Sequence, residues 1–466
     1  MSLFIRLVAV LVLIPLVAAA AAQGLPAEVE AALAKAKLPR DAISVLVVDA
    51  EGKAPPRASH RAGVAVNPAS VAKLVTTYAA LEQLGPAFTW TTPVFVDGVV
   101  QGGTLTGNVY IQGQGDPKLV LERLWLLLRR LQGLGIRQIL GDIVLDHSAF
   151  ESVTQDPGAF DGEPLRPYNA APDALLLNFK SLVMTFVPDR GGRAQIQYEP
   201  PLAGVQTASS VALAAGDCGD WRAGLKADFS DPNRIRFAGT YPTACAERVW
   251  PVAYADPGSY AARAVGGLWA EMGGKLSGQV RDGRLPAGLK PAFTVQSPAL
   301  AEIVRDINKY SNNVMAQQLF LTLSLQQNGV GTQQGSRELL RAWWRERVGG
   351  EPPAMDNGSG LSREERISAQ QLGRLLQLAW ASPLMPELMS SLPVAGADGT
   401  LRRMRGRSAG LAHLKTGSLR DVAAVAGYVH AASGRRYVLV AIANHPNATA
   451  ARPALDALVD WTARDQ

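Results

Sequence analysis

The chain has 466 residues, 47% of them hydrophobic and 6% aromatic, and a net charge of +6. That length predicts two or three domains rather than one simple core, and the composition excludes a disordered chain. The basic excess is mild and scattered, with no basic run carrying interleaved aromatics, so nucleic acid is not expected as a partner.

Residues 1–22 differ from the rest. MSLFIR places a positive charge at Arg6, LVAVLVLIPLV is an apolar run of 11 residues, and alanines follow up to Ala22. A basic end, a short apolar centre and small residues read as a secretory signal peptide. The run is shorter than the roughly 20 residues a spanning helix needs, so a retained anchor is the weaker alternative. No Cys lies near Ala22, which argues against a lipoprotein, and no later run is apolar enough to cross a membrane. The expected mature chain is exported, periplasmic, and without an integral membrane segment once the signal is removed.

AEVEAALAKAK (27–37) reads as a helix and ISVLVVDAEG (43–52) as a strand ending in a turn. NPASVAKLVTTYAALEQLG (67–85) reads as a second helix. Asn67 suits its cap, Pro68 its first position and Gly85-Pro86 its stop, with Val71, Leu74, Tyr78 and Leu81 as a buried stripe. From 91 to about 290 the texture is short strands and Gly-containing turns, with a helix at 121–135 and a strand at 136–150. Within this region Cys218 and Cys245 are 27 positions apart. An oxidising compartment favours pairing them, and their spacing resembles no zinc site.

Helices dominate again from 298 to 349. A turn-rich DNGSGLSREER (356–366) leads into the helix SAQQLGRLLQLAW, and LAHLKTGS, VAAVAGYVHA and RYVLVAIAN read as an antiparallel meander before a last helix at 448–464. A strand-plus-helix start and a helix-then-sheet end suggest one domain interrupted by residues 91–290. Three sequential domains are the alternative, and composition does not choose between them.

Ser70 and Lys73 stand in the first turn of the helix at 67–85, three apart and therefore on one face. A serine hydroxyl needs an adjacent base to become a nucleophile, and a lysine serves only when burial or a neighbouring charge keeps it neutral. Alone, S-x-x-K is an ordinary helix start. No other lysine in the chain has a serine three places before it, however, and two further short motifs follow in order: Ser311-Asn312-Asn313 at a helix entry and Lys415-Thr416-Gly417 on the first strand of the meander. S-x-x-K, S-D-N and K-T-G are the joint signature of penicillin-binding proteins and class A β-lactamases.

Each residue has an expected task. Ser70 attacks a carbonyl and Lys73 takes its proton. Ser311 passes a proton to the leaving amine. Asn313 bonds the substrate amide and Lys73. Lys415 and Thr416 hold a substrate carboxylate, with Lys415 also helping to keep Lys73 neutral. Gly417 lets the substrate backbone approach the strand. The N–H groups of Ser70 and Ser418 hold the oxyanion. No H-E-x-x-H motif or G-x-S-x-G elbow is present, so neither a zinc peptidase nor a Ser-His-Asp hydrolase is expected.

The chain resembles the class C low-molecular-mass penicillin-binding proteins, the D-alanyl-D-alanine carboxypeptidase/endopeptidase family. Beyond the three motifs the resemblance is carried by GNVYIQGQGDPKL, GDIVLDHSAF, PYNAAPDALLLN, DNGSGLSREERIS, SLPVAGADGTL and HLKTGSLRDVAAVAGYV, and it covers most of the mature chain. Asn312 stands where other penicillin-binding families often have Asp, and Asn357 is given no role.

The resemblance implies an α/β (α+β) fold: a transpeptidase/β-lactamase-like domain with an antiparallel sheet flanked by helices, carrying two inserted β-rich domains. The split domain would be residues 23–90 and 290–466, the first insert 91–165 with 250–289, and the second 166–249. The 237 residues between Lys73 and Ser311 are far more than β-lactamases carry. The implied activity is a serine DD-peptidase, a carboxypeptidase and/or endopeptidase acting on peptidoglycan stem peptides through a Ser70 acyl-enzyme. β-Lactam antibiotics are the implied covalent inhibitors, and no metal or organic cofactor is called for. A β-lactamase-like hydrolase and an inactive cell-wall-binding scaffold are the alternatives.

Overall fold

The computed structural model describes residues 24–152 and 156–465, so the expected signal peptide lies outside the described residues. A five-stranded sheet runs in the order Ala412–Leu419, Val422–His430, Arg436–Asn444, Ile43–Asp49, Ala58–His60. Every neighbouring pair is antiparallel, and Val47 stands opposite Leu439. The two ends of the chain thus share one sheet.

Successive side chains of a strand point to opposite faces, and here both faces are covered. Leu46, Val48, Val422, Ala424, Tyr428, Val438, Val440 and Ile442 pack on one side, in a core shared with helices Lys73–Leu84, Leu300–Tyr310, Asn313–Asn328 and Ala369–Trp380. Ile43, Val45, Val47, Ala423, Val425, Leu439 and Ala441 pack on the other, against helices Ala27–Lys35 and Arg452–Ala463. Double coverage explains why these strands read as nearly unbroken apolar runs rather than as alternating ones.

The helix read at 67–85 differs in two ways. Its expected stripe, Val71, Leu74, Tyr78 and Leu81, is fully buried, but so is every other residue from Lys73 to Leu81. The helix is enclosed by its neighbours on all sides, the setting of an all-round buried helix. Its beginning is a 3₁₀ turn, Ala69–Ala72, and the α-helix starts only at Lys73. Asn67 does not cap the α-helix; its Oδ1 accepts from the Ala69 N–H at 2.9 Å, and Ala69 is held left-handed at φ 48°. Gly85 ends the helix as expected, at φ 79°.

Residues 91–296 build sheets of their own. A seven-stranded sheet includes Thr91–Gln101, Thr104–Gln112 and Phe293–Gln296 and shares a core with helices Leu121–Gly133 and Tyr260–Glu271. The strand read at 136–150 is two short ones, Gln138–Ile139 and Ile143–Asp146. Both hold the same register on Thr104–Gln112, and the break falls where Asn108 Oδ1 accepts from the Asp142 N–H. A five-stranded sheet containing Ser181–Pro188, Arg193–Glu199 and Arg248–Ala253 has a separate core, centred on Phe186 stacked against Tyr241 at 5.5 Å.

Cys218 and Cys245 form a disulfide within this last core. A loop of 27 positions gives about 3.5 kcal/mol of stabilisation on the chain-entropy account. The double variant Cys218→Ser/Cys245→Ser is expected to lose that much in denaturant unfolding of this unit. Loss below ~1 kcal/mol would contradict the prediction.

The inserted region is fastened to the helix Asn313–Asn328. Gln318 Nε2 donates to the carbonyls of Gly115 and Asp173 at 3.2 and 2.8 Å, and the Asp173 N–H donates back to Gln318 Oε1 at 2.8 Å. Lys118 Nζ pairs with Asp306 at 2.5 Å. The insert is thereby tied to both helices that flank Asn313, Leu300–Tyr310 through Asp306 and Asn313–Asn328 through Gln318.

Candidate active site

Five elements converge on one site. Ser70 sits in the 3₁₀ turn and Lys73 opens the following helix. Helix Leu300–Tyr310 ends on Ser311, which is left-handed at φ 56°. Asn312 then caps the next helix, its side chain accepting from the Met315 N–H at 3.0 Å, and so sets Asn313 at the helix start. Lys415, Thr416, Gly417 and Ser418 lie on the edge strand Ala412–Leu419.

Lys73 is fully buried. Its Nζ lies 2.9 Å from Ser70 Oγ and 2.6 Å from Asn313 Oδ1, and it also donates to the carbonyl of Ser359. The last two partners only accept. A neutral amine has two hydrogens and one lone pair, so these two acceptors take the hydrogens and turn the lone pair toward the Ser70 hydroxyl. Burial brings the Lys73 pKa down from 10.5 to about 7, against the opposing pull of the Glu365 carboxylate.

Lys415 Nζ donates to Ser311 Oγ and to the Thr416 carbonyl, both at 2.8 Å. Burial pushes its pKa well below the usual lysine range, and the nearby Lys73 adds to the effect. Burial is the largest cause of the lowered pKa at both amines, and the two are close enough to act on one another. Thr416 Oγ1 meets Thr400 Oγ1 at 2.7 Å.

Two further points concern the strand. The Leu414 N–H donates outward to the Pro393 carbonyl. Backbone groups alternate sides along a strand, so the Ser418 N–H, four residues on, projects to the same free edge. Gly417 meets a packing constraint besides the approach of substrate expected of it. A Cβ there would stand 2.8 Å from the Pro68 carbonyl oxygen and 3.2 Å from Ala69 Cβ. The close approach is made by the turn that carries Ser70.

Three functional positions escaped the sequence reading, all in DNGSGLSREER. Ser359 supplies the carbonyl that holds Lys73. Asn357, given no role, shapes the loop: its Oδ1 accepts from the Ser359 N–H at 3.0 Å and the Ser359 hydroxyl at 2.7 Å, and its Nδ2 donates to the Leu361 carbonyl at 3.0 Å. Glu365 is fully buried and accepts from the N–H groups of Asp356 and Gly358 at 3.3 and 3.2 Å. Burial raises its pKa from 4.5 to about 7. The dense Gly-Ser-Gly turn was the available signal. Nothing in the sequence separates Glu365 from the adjacent Glu364.

An α/β fold with a five-stranded antiparallel sheet between helical layers, and a serine paired to a buried lysine beside the sheet edge, defines a serine acyl-transfer enzyme of the penicillin-binding type. The chain belongs to the D-Ala-D-Ala carboxypeptidase 3 (S13) family, whose family model matches residues 25–465. It is 28% identical over 395 residues to a D-alanyl-D-alanine carboxypeptidase of Actinomadura sp. strain R39, covering 81% of this chain and 73% of that one. It is 25% identical over 383 residues to the D-alanyl-D-alanine carboxypeptidase DacB of Haemophilus influenzae, covering 81% and 80%. The crystal structure of penicillin binding protein 4 (dacB) from Haemophilus influenzae superposes with a TM-score of 0.73 at 23% identity, covering 92% of this chain and 99% of that one. A second crystal structure of that protein is a complex with a β-lactam.

Proposed function

We propose that this chain is a serine DD-peptidase that cleaves peptidoglycan stem peptides through an acyl-enzyme on Ser70 and is acylated by β-lactams. One observation carries the reading: Lys73 Nζ lies 2.9 Å from Ser70 Oγ while its other two partners are acceptors. Ser70 Oγ attacks the carbonyl of the penultimate D-alanine as its proton passes to Lys73. The developing oxyanion lies between the N–H groups of Ser70 and Ser418. The C–N bond then breaks, Ser311 relays a proton to the leaving amine, and water releases the acyl group. Asn313 holds the substrate amide. Lys415 and Thr416 take the terminal carboxylate, whose arrival raises the Lys415 pKa and secures its charge. The β-lactam complex of the Haemophilus influenzae protein supports the inhibitor assignment.

The separate sheets and cores of residues 91–296 support two inserted domains. The expected bounds, 91–165 with 250–289 and 166–249, need moving, because strand Arg248–Ala253 crosses the 249/250 boundary and pairs within the second insert, and Phe293–Gln296 extends the first beyond 289. The basic-then-apolar start and the disulfide support an exported, periplasmic enzyme. Among the described residues no helix is long and apolar enough to cross a membrane.

Incubation with a fluorescent penicillin tests the function. The native chain is expected to carry a stable label and Ser70→Ala none. Rapid turnover of the drug would favour a β-lactamase instead, and equal labelling of both proteins would refute the assignment of Ser70.

A further inference from the structure

A cavity of about 370 Å³ opens beside the strand that carries Lys415, lined by Lys309, Tyr310, Gly399, Thr400, Arg402 and Arg403. It adjoins the acyl site through the hydroxyl pair of Thr400 and Thr416, 2.7 Å apart. In the function proposed above, on which this inference rests, the leaving residue's carboxylate sits at Lys415 and Thr416. The line from Ser70 through Thr416 to Thr400 is then the direction in which a leaving group extends.

The charges of this cavity are unequal. Lys309 Nζ is paired with Asp398 at 2.6 Å. Arg402 and Arg403 are exposed and have no ion-pair partner among the described residues. They begin the run LRRMRGR, which holds two more arginines, Arg405 and Arg407. Tyr310, 71% exposed, forms a flat wall next to Ser311. A single D-alanine has one methyl group and one carboxylate, and Lys415 and Thr416 already account for the carboxylate. It would neither fill this cavity nor meet the two guanidinium groups.

We propose that the cavity is a leaving-group subsite for the acidic remainder of a second peptide, held by Arg402 and Arg403, so that cross-linked peptides are bound through it. The reaction balances as amide hydrolysis. The C–N bond between the acyl D-alanine and the second peptide breaks, that peptide departs as a free amine with a proton relayed from the site, and water supplies the hydroxyl that releases Ser70. The guanidinium groups do not touch the reacting atoms. They act on the affinity for a substrate whose leaving side carries further carboxylates.

The test compares the full chain with Arg402→Ala/Arg403→Ala on two substrates: a stem peptide ending in D-Ala-D-Ala and the cross-linked dimer of the same stem. The ratio of kcat/KM for dimer over monomer is expected to fall at least tenfold in the variant, chiefly through a raised KM for the dimer. Arg402→Lys/Arg403→Lys should recover most of that ratio, and added salt should depress dimer cleavage more in the native chain than in the alanine variant. An unchanged ratio, or a native chain that releases terminal D-alanine but does not cleave the dimer, would overturn the subsite. A native chain that takes no penicillin and cleaves neither peptide would overturn the function on which it rests. Melting temperatures check that these exposed substitutions leave the fold intact.

Discussion

Acylation of Ser70 by a β-lactam is expected to rise with pH through a midpoint near 7 and to level off above it. Lys73→Ala is expected to be slower by about a thousandfold, within the range for loss of a general base. The direction follows from the amine's task. On the proposed mechanism only neutral Lys73 accepts the Ser70 proton, and burial has brought its pKa from 10.5 down to about 7. Below that value the amine is charged and the hydroxyl keeps its proton; above it the lone pair is free. An exposed lysine would instead push the rise beyond pH 10. Glu365 sharpens the test. Its carboxylate holds the Lys73 value up, so Glu365→Gln should move the midpoint to lower pH. Because Glu365 is itself raised to about 7, the native midpoint belongs to the coupled pair, and the Gln variant isolates the amine. Labelling rates from pH 5 to 10 on the three proteins decide the matter. A flat profile, or a Lys73→Ala protein that labels at the native rate, would remove Lys73 from the role of base.

Gly360→Ala is expected to lose about 3 kcal/mol or more of stability, together with at least a hundredfold of the acylation rate. Gly360 has φ +79°, and a Cβ there would stand 2.0 Å from the Ala69 carbonyl oxygen and 2.8 Å from the Ser70 nitrogen. The obstructing atoms are backbone, so no rotamer change relieves the clash, and left-handed strain adds to it. The displaced segment carries Ser70, the proposed nucleophile, and a shift of about 1 Å in a reacting group costs on the order of a hundredfold. Thermal melting and labelling rate measured on one preparation give both numbers. A variant with native melting and native labelling would show that the Ser359-Gly360 loop does not hold the Ser70 turn in place.

The parts of the site that were legible in the sequence are those in which chemistry demands particular side chains at fixed local spacing. Ser70 and Lys73 lie on one turn, Ser311 and Asn313 flank a helix junction, and Lys415 to Ser418 run along one strand. Each group could be read locally, and its order along the chain did the rest. The Ser359 carbonyl could not be read this way, because every residue has one and only the fold selects this one for Lys73. Glu365 was hidden for a related reason: burial, not composition, distinguishes it from Glu364. The 3₁₀ start was missed because Asn67 and Pro68 fit an ordinary helix entry, while the actual turn depends on the Asn67 side chain folding back to Ala69. The meander strands were legible from their apolar runs and the turns between them. Their partner, Ile43–Asp49, joins them across almost the whole length of the chain, a pairing that no local pattern encodes.

That distant pairing bears on how the enzyme comes into being. A polypeptide appears N-terminus first, so Ser70 and Lys73 exist long before Ala412–Leu419 is made. Strand Ile43–Asp49 waits for Arg436–Asn444 as its neighbour, and Lys73 is enclosed only when helices from the second half arrive. Until then the amine remains wet, protonated and unfit to accept a proton, and closing so long a loop makes this a late event. The chain therefore has no buried amine beside Ser70 until its two halves have met.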